Sequence, residues 1–500
     1  MGSQIRRWRR RCWTASCGVA LITLTGPISL NANTPSYGNV DQATLDLAVA
    51  AFRDDPTYLV NNIPLLRALT PEQLAKAIER LDLSHYAYLH PVVVKGEDVP
   101  DLIGRQVNEV SVMVVRGERM MPIPFQIDEL DHKGWVWLPD VSPNDLAGTY
   151  EQIDEDDELV FMYRDTGYEP YDAGRHGEVQ GEILRELVFE HQGKARYAYL
   201  VEGDERRNSA DYVSFDAETG ISDNTYYWFR TDPSNFLDFQ DFRAKVGPRQ
   251  DKRVLDAIYG ELETGVFTRW PKLRFNTLNN IRPELIFVND GPVRATGLLK
   301  MRIIAAGIPV FNILTQVTIY DQGLVLPVSI HIPGGEILTR VLNEPRFVLA
   351  LDFNDIQGGH VNAAGSRNPD GYAIVDGEMS ELERTATISH EKNWLWMDSQ
   401  LGWDIFARFD IPPGWPEDLR LLYQDDPKAT TEWEDFPGAA PRIGVDARGF
   451  PVGKLDISLT ASLWFPDTVG AAGPKRFGEE SLSPPRWEAR DYSSQLAKAD

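Results

Sequence analysis

A glycine-containing loop carries residue types that proton transfer requires. It reads Asn354-Asp-Ile-Gln-Gly-Gly-His-Val-Asn362, and a further histidine lies downstream. Paired glycines let the backbone approach a ligand closely, and aspartate and histidine side chains exchange protons near neutral pH. The candidates for catalysis are Asp355, His360 and His390, and the candidates for ligand binding are Asn354 and Gln357. Glycine, asparagine and aspartate also form ordinary turns, so that interpretation stays open.

A second candidate site is a set of five aspartates around an acidic loop. They are Asp128, Asp131, Asp154, Asp156 and Asp157. Calcium takes six to eight oxygen ligands from carboxylates and carbonyls, which such a loop can supply. The spacing is not the Asp-x-Asp-x-Asp-Gly pattern of a calcium-binding loop. A structural calcium ion and a solvated acidic turn therefore both remain open.

Tryptophans with carboxylates alongside suggest glycan binding, because sugar rings present apolar C–H faces that stack on aromatic rings. The tryptophans considered for this role are Trp228, Trp394, Trp396 and Trp403. Trp394 and Trp396 alternate along a strand-like run, so they share one face of the strand. In a sandwich that face is either the surface or the core, and the pattern does not choose between them.

Signatures of several enzyme classes are absent from the sequence. His390-Glu391 lacks the second histidine of a zinc-protease helix. There is no Gly-x-Ser-x-Gly elbow, phosphate-binding glycine loop, dinucleotide fingerprint or haem attachment site. Carboxylate pairs for glycoside cleavage stay open, because the chain contains 75 acidic residues.

The elements that must position these residues are mostly strands. Residues 41–84 show helical spacing, and Thr70-Pro71-Glu72-Gln73 is a strong helix start. From Tyr86 the apolar residues recur with period two, in many short runs separated by turn residues. Strand-like runs at 124–129 and 158–162 flank the acidic loop. The pattern predicts a mainly β protein, an antiparallel β-sandwich with a small helical N-terminal segment.

The same pass along the chain predicts its division. We expect a signal peptide at 1–32, a helical segment at 33–84, a first β region at 85–231, a partly helical irregular connection at 232–282, a second β region at 283–468 and a flexible tail at 469–500.

Composition points to the compartment. The segment 1–32 holds five arginines and no acid, followed by an apolar run too short for the roughly 20 residues of a membrane span, as in an export signal. Its removal changes the net charge from −25 to −30 and takes away both cysteines, Cys12 and Cys17. No later apolar run approaches spanning length. We expect a periplasmic or secreted protein without a transmembrane span in its mature chain, and the acidic balance argues against nucleic acid as a partner.

Three motifs together resemble a loose group of uncharacterised exported bacterial β-sandwich proteins. They are Pro124-Phe-Gln-Ile-Asp-Glu129, Asp156-Asp-Glu-Leu-Val-Phe-Met162 and Asp290-Gly-Pro-Val-Arg294. The resemblance covers about residues 86–330 and implies a fold class and an envelope location. It implies no catalytic residues. In the group a loop rich in glycine and aspartate often joins the first two motifs, whereas here the joining segment contains Trp135 and Trp137.

Three functions follow as hypotheses, so whether the chain is an enzyme stays open. The first is a non-catalytic binding or scaffold role, with a glycan or another envelope component as ligand. The second is a carbohydrate-active enzyme, a lyase or hydrolase, that uses the loop containing Asp355 and His360. The third is a structural subunit with a protein partner in an envelope complex.

Overall fold

A computed structural model of the chain describes residues 36–245, 253–268, 270–277, 279–305, 307–331, 342–354, 356–411, 419–425, 441–448, 456–465 and 468–492. The expected signal peptide, residues 1–32, lies outside these ranges, as does Asp355.

The first described segment is helical, as its spacing predicts. Its helices are α1 (Gln42–Asp54), α2 (Tyr58–Asn61), α3 (Ile63–Ala68), α4 (Pro71–Arg80) and α5 (His85–Leu89). Helix α4 begins with the expected capping box, in which Thr70 and Gln73 each bond the other's backbone N–H. No helix in the described ranges is long and apolar enough to cross a membrane.

Two small antiparallel sheets join these helices in an N-terminal module. The three-stranded sheet has the order β1-β5-β4, formed by β1 (Pro91–Lys95), β4 (Phe125–Asp128) and β5 (Glu158–Met162). The five-stranded sheet has the order β27-β6-β7-β2-β3, formed by β2 (Val110–Arg116), β3 (Arg119–Pro122), β6 (Glu182–His191), β7 (Lys194–Glu202) and β27 (Arg486–Arg490). The predicted strands around the acidic loop, β4 and β5, pair directly with each other.

Short helical turns connect the strands. One is α6 (Ala173–His176), and the 3-10 turns are Gly96–Asp98, Pro100–Leu102, Val107–Glu109, Tyr163–Asp165 and Pro369–Gly371.

A ten-stranded antiparallel sheet forms one layer of a sandwich. Its order is β21-β24-β25-β18-β12-β11-β10-β9-β8, and β13 pairs with β12 outside this order. The strands are β8 (Val213–Asp216), β9 (Ile221–Asn224), β10 (Tyr227–Asp232), β11 (Asn235–Ala244), β12 (Leu255–Val266), β13 (Lys272–Asn276), β18 (Leu342–Phe353), β21 (Thr387–Ile388), β24 (Leu419–Gln424) and β25 (Arg442–Arg448).

A nine-stranded sheet forms the second layer, with the order β14-β15-β16-β17-β26-β23-β22-β19-β20. Its strands are β14 (Ile281–Asp290), β15 (Arg294–Ala305), β16 (Ile308–Tyr320), β17 (Gly323–His331), β19 (His360–Ala363), β20 (Ala373–Ile374), β22 (Trp394–Asp398), β23 (Asp404–Asp410) and β26 (Asp456–Trp464).

The main core lies between the two large sheets. Alternation along β18 shows why: Leu349 and Leu351 belong to this core, whereas Val348 and Ala350 face the other side. The outer face of the nine-stranded sheet packs on the N-terminal module in a second core. The predicted fold class, a mainly β antiparallel sandwich with a small helical N-terminal segment, is confirmed.

Two predicted segments differ in the structure. Residues 232–282, expected as an irregular and partly helical connection, contribute β11, β12 and β13 to the large sheet. Phe236, Phe239 and Phe242 recur every third residue, yet all three are buried in β11. The pairing of β10 with β11 shifts register twice, and such bulges break the period-two pattern that marks a strand.

The expected flexible tail is folded over its described part, which runs to residue 492. It forms α7 (Val469–Ala472), α8 (Pro474–Ser481) and β27. Phe477 of α8 is fully buried, with its ring centre 4.7 Å from that of Phe406. This partner is distant in sequence, so local composition could not reveal it.

Candidate functional site

The three motifs of the sequence resemblance meet at one buried junction between β4, β5 and β15. Gln126 Oε1 accepts hydrogen bonds from the backbone N–H groups of Val293 (3.1 Å) and Arg294 (2.9 Å). Arg294 Nε donates to Asp128 Oδ2 at 2.7 Å, and its Nη2 donates to Glu158 Oε2 at 2.6 Å. The junction therefore joins the three-stranded sheet to the nine-stranded sheet.

Electrostatics holds this junction in its charged form. Burial acts to lower the pKa of Arg294, but the carboxylates of Asp128 and Glu158 raise it well above its ordinary value. The backbone at Gly291 also lies close to the Gln126 side chain, because a Cβ atom on Gly291 would lie 2.3 Å from Gln126 Oε1. Every polar group named here is committed to a protein partner, so the junction is structural and offers no reactive group.

Three of the five aspartates considered for calcium each accept hydrogen bonds from more than one protein donor. Asp128 pairs with Arg294, Asp131 accepts from the N–H groups of Lys133 and Trp135 and from Asn144, and Asp157 accepts from the N–H groups of Leu130 and Asp154. Asp154 accepts from the N–H of Asp156, and Asp156 itself is exposed. Within the described ranges, no group of three or more acidic or histidine side chains is placed to hold a metal ion.

Two carboxyl groups near this loop have strongly raised pKa values. Burial, with added repulsion from neighbouring carboxylates, raises the pKa of Glu129 to about 7 and that of Asp157 to about 6. The acidic loop is thus a hydrogen-bonded turn in which carboxylates crowd one another.

The candidate histidines for catalysis lie apart. His360 is exposed on β19, where it pairs with Ile374 and Asp398. Asp398 ends β22, whereas His390 precedes the first residue of the same strand. The length of β22 therefore separates the two histidines, and the structure does not bring them together.

The ligand-binding candidates of the same loop lie at one end of the sandwich. Asn354 follows β18, and its Nδ2 donates to the carbonyl of Arg253 at 3.4 Å. Gln357 is exposed in the turn that leads into β19. Gly358 has φ +86°, so the turn uses a backbone conformation that glycine adopts readily.

Three of the four candidate tryptophans are core residues. Trp394 and Trp396 lie in the core between β22 and the N-terminal module, and Trp403 lies in the core between the large sheets. Trp396 Nε1 donates to Asp404 Oδ2 at 3.1 Å, which satisfies the indole N–H inside the protein. None of the three rings offers a surface to a glycan, because the N-terminal module and α8 cover Trp394 and Trp396, and the two large sheets enclose Trp403.

The outer face of the ten-stranded sheet carries a network of charged side chains that sequence analysis missed. We call it the mixed-charge face and define it by Tyr259, Glu261, Glu263, Arg346, Asp352, Arg442, Asp446 and Arg448. The strand registers place these side chains on one surface of three neighbouring strands, β12, β18 and β25. Trp228 of β10 points to the same side of the sheet, because its neighbours Tyr227 and Phe229 both point into the core. Its pairing through Arg243 with Arg253 places it level with the start of β12, whereas Arg448 is level with Glu263 near the end of that strand.

Ion pairs connect the mixed-charge face across the strands. Arg346 lies between two acids, with Nε 2.7 Å from Asp446 Oδ1 and Nη1 3.4 Å from Glu261 Oε1. Arg448 Nη2 lies 2.8 Å from Asp446 Oδ2, and its side chain is 54% exposed. Burial acts to raise the pKa of Asp446, but hydrogen bonds from the two arginines hold it below its ordinary value.

One acid on this face behaves differently. Burial raises the pKa of Asp352 to about 6, although Arg442, whose Nε lies 3.5 Å from Oδ1, opposes the shift. The Arg442 guanidinium lies 5.2 Å from the centre of the Tyr259 ring. A carboxyl group whose pKa is raised thus lies beside a guanidinium that in turn contacts a phenol ring, whose hydroxyl donates to Glu261.

The missed residues have a weak sequence signal. In Arg346-Phe-Val-Leu-Ala-Leu-Asp352 two charges are six residues apart, an even spacing that puts both on one face of a strand, but the five residues between them are apolar. The strand β12, however, lies in the segment expected to be irregular. The pairing of β12 with β18, and of β18 with β25, joins residues 76 to 102 positions apart in the chain, and no local pattern contains such partners.

No protein-family model and no curated protein matches this chain. Among solved structures, an alpha-mannosidase from Enterococcus faecalis V583 is similar at a TM-score of 0.39 and 9% identity, covering 84% of this chain and 48% of that one. This chain therefore spans about half of the mannosidase's length. A second structure, described as HI1317, has a TM-score of 0.27 and 8% identity and covers 52% of this chain and 98% of that one. At these TM-scores neither similarity assigns a function.

Proposed function

We propose that the chain is an exported envelope protein that binds a glycan without transforming it, and that the ligand lies on the mixed-charge face. The observation that carries the proposal is the alternation of carboxylates and guanidinium groups across three adjacent strands, with Trp228 on the same side of the sheet. Sugar hydroxyls both donate and accept hydrogen bonds, so a surface that mixes acceptors with donors suits them.

Two side chains on this side of the sheet, Arg448 of the mixed-charge face and Trp228 toward the other end of the strands, are accessible to an extended glycan. The Arg448 side chain is 54% exposed, and Trp228 is partly exposed with the Arg243 guanidinium 5.8 Å from its ring. An indole ring stacks on the apolar face of a sugar, and a guanidinium donates to its hydroxyls or carboxylates. The separation of His360 from His390 supports a binding role rather than catalysis by those residues.

The envelope location rests on residues 1–32, whose basic start and short apolar run are typical of an export signal. The resemblance to exported bacterial β-sandwich proteins stays part of the proposal. It is supported by the meeting of its three motifs at one junction, since motifs scattered over 171 residues, from 124 to 294, share a single structural role.

The binding test uses a panel of neutral and acidic polysaccharides with the purified chain. We expect saturable retention on at least one polysaccharide with no new chain ends. Trp228→Ala and Arg448→Ala should each weaken binding by about tenfold, equivalent to about 1.4 kcal/mol. Tyr150→Ala is the matched control, because Tyr150 is 44% exposed in the N-terminal module. Retention on no polysaccharide, or native affinity in both face variants, would refute the proposal.

A carbohydrate-active enzyme is the second candidate, and Asp352 favours it. A carboxyl group with a pKa of about 6 can give and take protons near neutral pH, and Arg442 lies beside it. This candidate predicts new chain ends that disappear in Asp352→Asn while the circular dichroism spectrum stays native. Undiminished release of ends in that variant would exclude Asp352 from the reaction.

A structural role with a protein partner is favoured by a different surface. Phe267 and Trp270, in the connection between β12 and β13, are 75% and 76% exposed. Large apolar side chains at such exposure often mark interfaces. A pull-down from envelope extracts that loses the same defined protein in Phe267→Ser and Trp270→Ser would support this role.

A further inference from the structure

Three arginines surround one tyrosine ring in the N-terminal module. The guanidinium carbon atoms lie 4.2 Å (Arg196), 4.9 Å (Arg53) and 5.0 Å (Arg116) from the centre of the Tyr168 ring. Arg53 belongs to α1, Arg116 ends β2, and Arg196 lies on β7, so three separate elements bring the positive charges together. We call these four residues the Tyr168 cluster.

Two of the arginines are buried with unused hydrogen-bond donors. Arg196 is 1% exposed, and its Nε, Nη1 and Nη2 have no hydrogen-bond acceptor among the described residues. Arg116 is 3% exposed, and its Nη2 donates to the carbonyls of Asp165 and Thr166, whereas Nε and Nη1 have no acceptor in the same ranges. The Tyr168 hydroxyl also lacks a partner there.

The nearby carboxylates do not contact these groups. Asp321 pairs with Arg164 at 2.5 Å, and Asp165 accepts from the Tyr212 hydroxyl at 2.9 Å. Asp165 and Asp55 attract Arg116 from a longer distance than an ion pair. Among the described residues, Arg116 and Arg196 therefore have no carboxylate within 4.0 Å, unlike the buried Arg164.

Such an arrangement is unfavourable unless something compensates it. Burial, with added repulsion from Arg196, lowers the pKa of Arg116 to about 10, so Arg116 still carries its charge at neutral pH. A buried charge costs several kcal/mol unless it is paired and hydrogen-bonded. The negative face of the tyrosine ring offsets part of that cost by cation–π attraction. The ring does not, however, accept the hydrogen bonds that the N–H groups of a guanidinium donate in its plane.

We propose that the Tyr168 cluster is a binding site for a compact oxyanion, a phosphate or sulfate group. The ring of Tyr168 covers the guanidinium groups of Arg116 and Arg196, at the place where a bridging anion would neutralise them, whereas Arg53 already pairs with Asp82 at 3.0 Å. The anion enters when the partly exposed Tyr168 side chain rotates outward, and it accepts hydrogen bonds from the free nitrogens of Arg116 and Arg196. Guanidinium groups bind such oxyanions in pairs of parallel hydrogen bonds, which explains why arginine suits this site.

The test is thermal unfolding of the purified chain in inorganic phosphate, in sulfate and in chloride at one ionic strength. We expect phosphate or sulfate to raise Tm by several degrees over chloride, because a ligand that binds only the folded state stabilises it. Arg196→Met should abolish this rise in Tm. Arg196→Lys keeps the positive charge but loses the paired N–H donors of the guanidinium, so it should weaken anion binding at least tenfold. Glucose 6-phosphate distinguishes a free anion from an ester group: stabilisation by phosphate alone assigns the free ion, and stabilisation by both assigns a site that accepts the ester.

Arg490→Met is the control, because it removes one arginine from the exposed surface of the same module. Its anion-dependent rise should equal that of the native chain. If Arg196→Met does not fold, Tyr168→Ala decides the question, since removal of the covering ring should strengthen anion binding. Equal Tm values in all three salts, or a native rise in Arg196→Met or Arg196→Lys, would overturn the proposal, as would weaker binding in Tyr168→Ala.

Discussion

Arg294 and Asp128 are 166 residues apart in the chain, and their side chains meet at 2.7 Å inside the protein. Arg294 begins β15 of the nine-stranded sheet, and Asp128 ends β4 of the three-stranded sheet. This contact and the adjacent one with Glu158 make the junction a buried ionic connection between the N-terminal module and the sandwich.

Removal of the arginine from this junction should destabilise the chain strongly. Arg294→Met leaves the buried carboxylate of Asp128 and the partly exposed carboxylate of Glu158 without their arginine, and loss of the partner of a buried charge typically costs about 3–5 kcal/mol. Arg302→Met is the control, because its pair with Glu284 is about half exposed, and such pairs contribute about 0–1 kcal/mol. Urea unfolding measures both variants. A loss below about 1 kcal/mol in Arg294→Met would show that the junction does not hold the layers together.

The acidic loop should make the folded state less stable as pH rises toward neutrality. The pKa of Glu129 is raised to about 7 in the folded chain, mainly by burial, against about 4.3 when unfolded. Between these values the folded chain binds more protons than the unfolded chain, so the free energy of unfolding falls as pH rises.

Glu129→Gln should reduce that fall by about 1 kcal/mol, a value already lowered because the side chain is partly exposed to solvent. The measurement is urea unfolding at several pH values between 4.5 and 8, a range set to span the two pKa values. Glu118→Gln, which removes an exposed acid from the turn between β2 and β3, should keep the native slope. An unchanged slope in Glu129→Gln would contradict the assignment.

Calcium should have little effect on stability. Asp131 and Asp157 already accept hydrogen bonds from backbone N–H groups, so their oxygens are committed to the fold. We expect the same Tm in EDTA and in excess calcium, within about 1 °C, when thermal unfolding is followed by circular dichroism. A rise of several degrees with calcium, lost in Asp131→Asn, would instead establish a metal site.

Truncation of Trp396 should destabilise the chain much more than truncation of Trp228. Trp396 is 8% exposed in the core, so Trp396→Ala should cost about 3–5 kcal/mol in the free energy of unfolding. Trp228 is partly exposed on a sheet face, so Trp228→Ala should change stability by less than about 1 kcal/mol. Urea unfolding of both variants makes the comparison. Comparable losses would mean that Trp228 is also a packing residue.

Local signals predicted the elements whose causes are local. Thr70 and Gln73 cap α4 within one turn, and the alternation at Phe125 and Ile127 marks β4. The bulged strand β11 was missed because the spacing of its phenylalanines follows a register shift in the pairing with β10. The conformation of this segment depends on its pairing with a neighbouring strand, and the spacing of apolar residues along one segment carries no information about that pairing.

The burial of the candidate tryptophans, and the charged face that sequence analysis missed, have a related cause. A tryptophan on a strand has no sequence mark that separates core from surface, and Trp394 is buried because α8, about 80 residues later, packs against it. The mixed-charge face arises from strand neighbours, since Arg346 meets Glu261 and Asp446 only through the pairing of β18 with β12 and β25. Residue types were visible in the sequence, and their neighbours were not.

The pairing of β27 with β6 sets an order for assembly. An ion pair between Arg185 and Asp491 at this seam spans 306 residues, so the five-stranded sheet is incomplete until nearly the whole described chain is present. Contacts of such sequence separation slow folding, and until β27 arrives, β6 has an open edge that can pair with another chain. A chain that emerges from its amino end first would therefore keep its first module unfinished until the sandwich has followed.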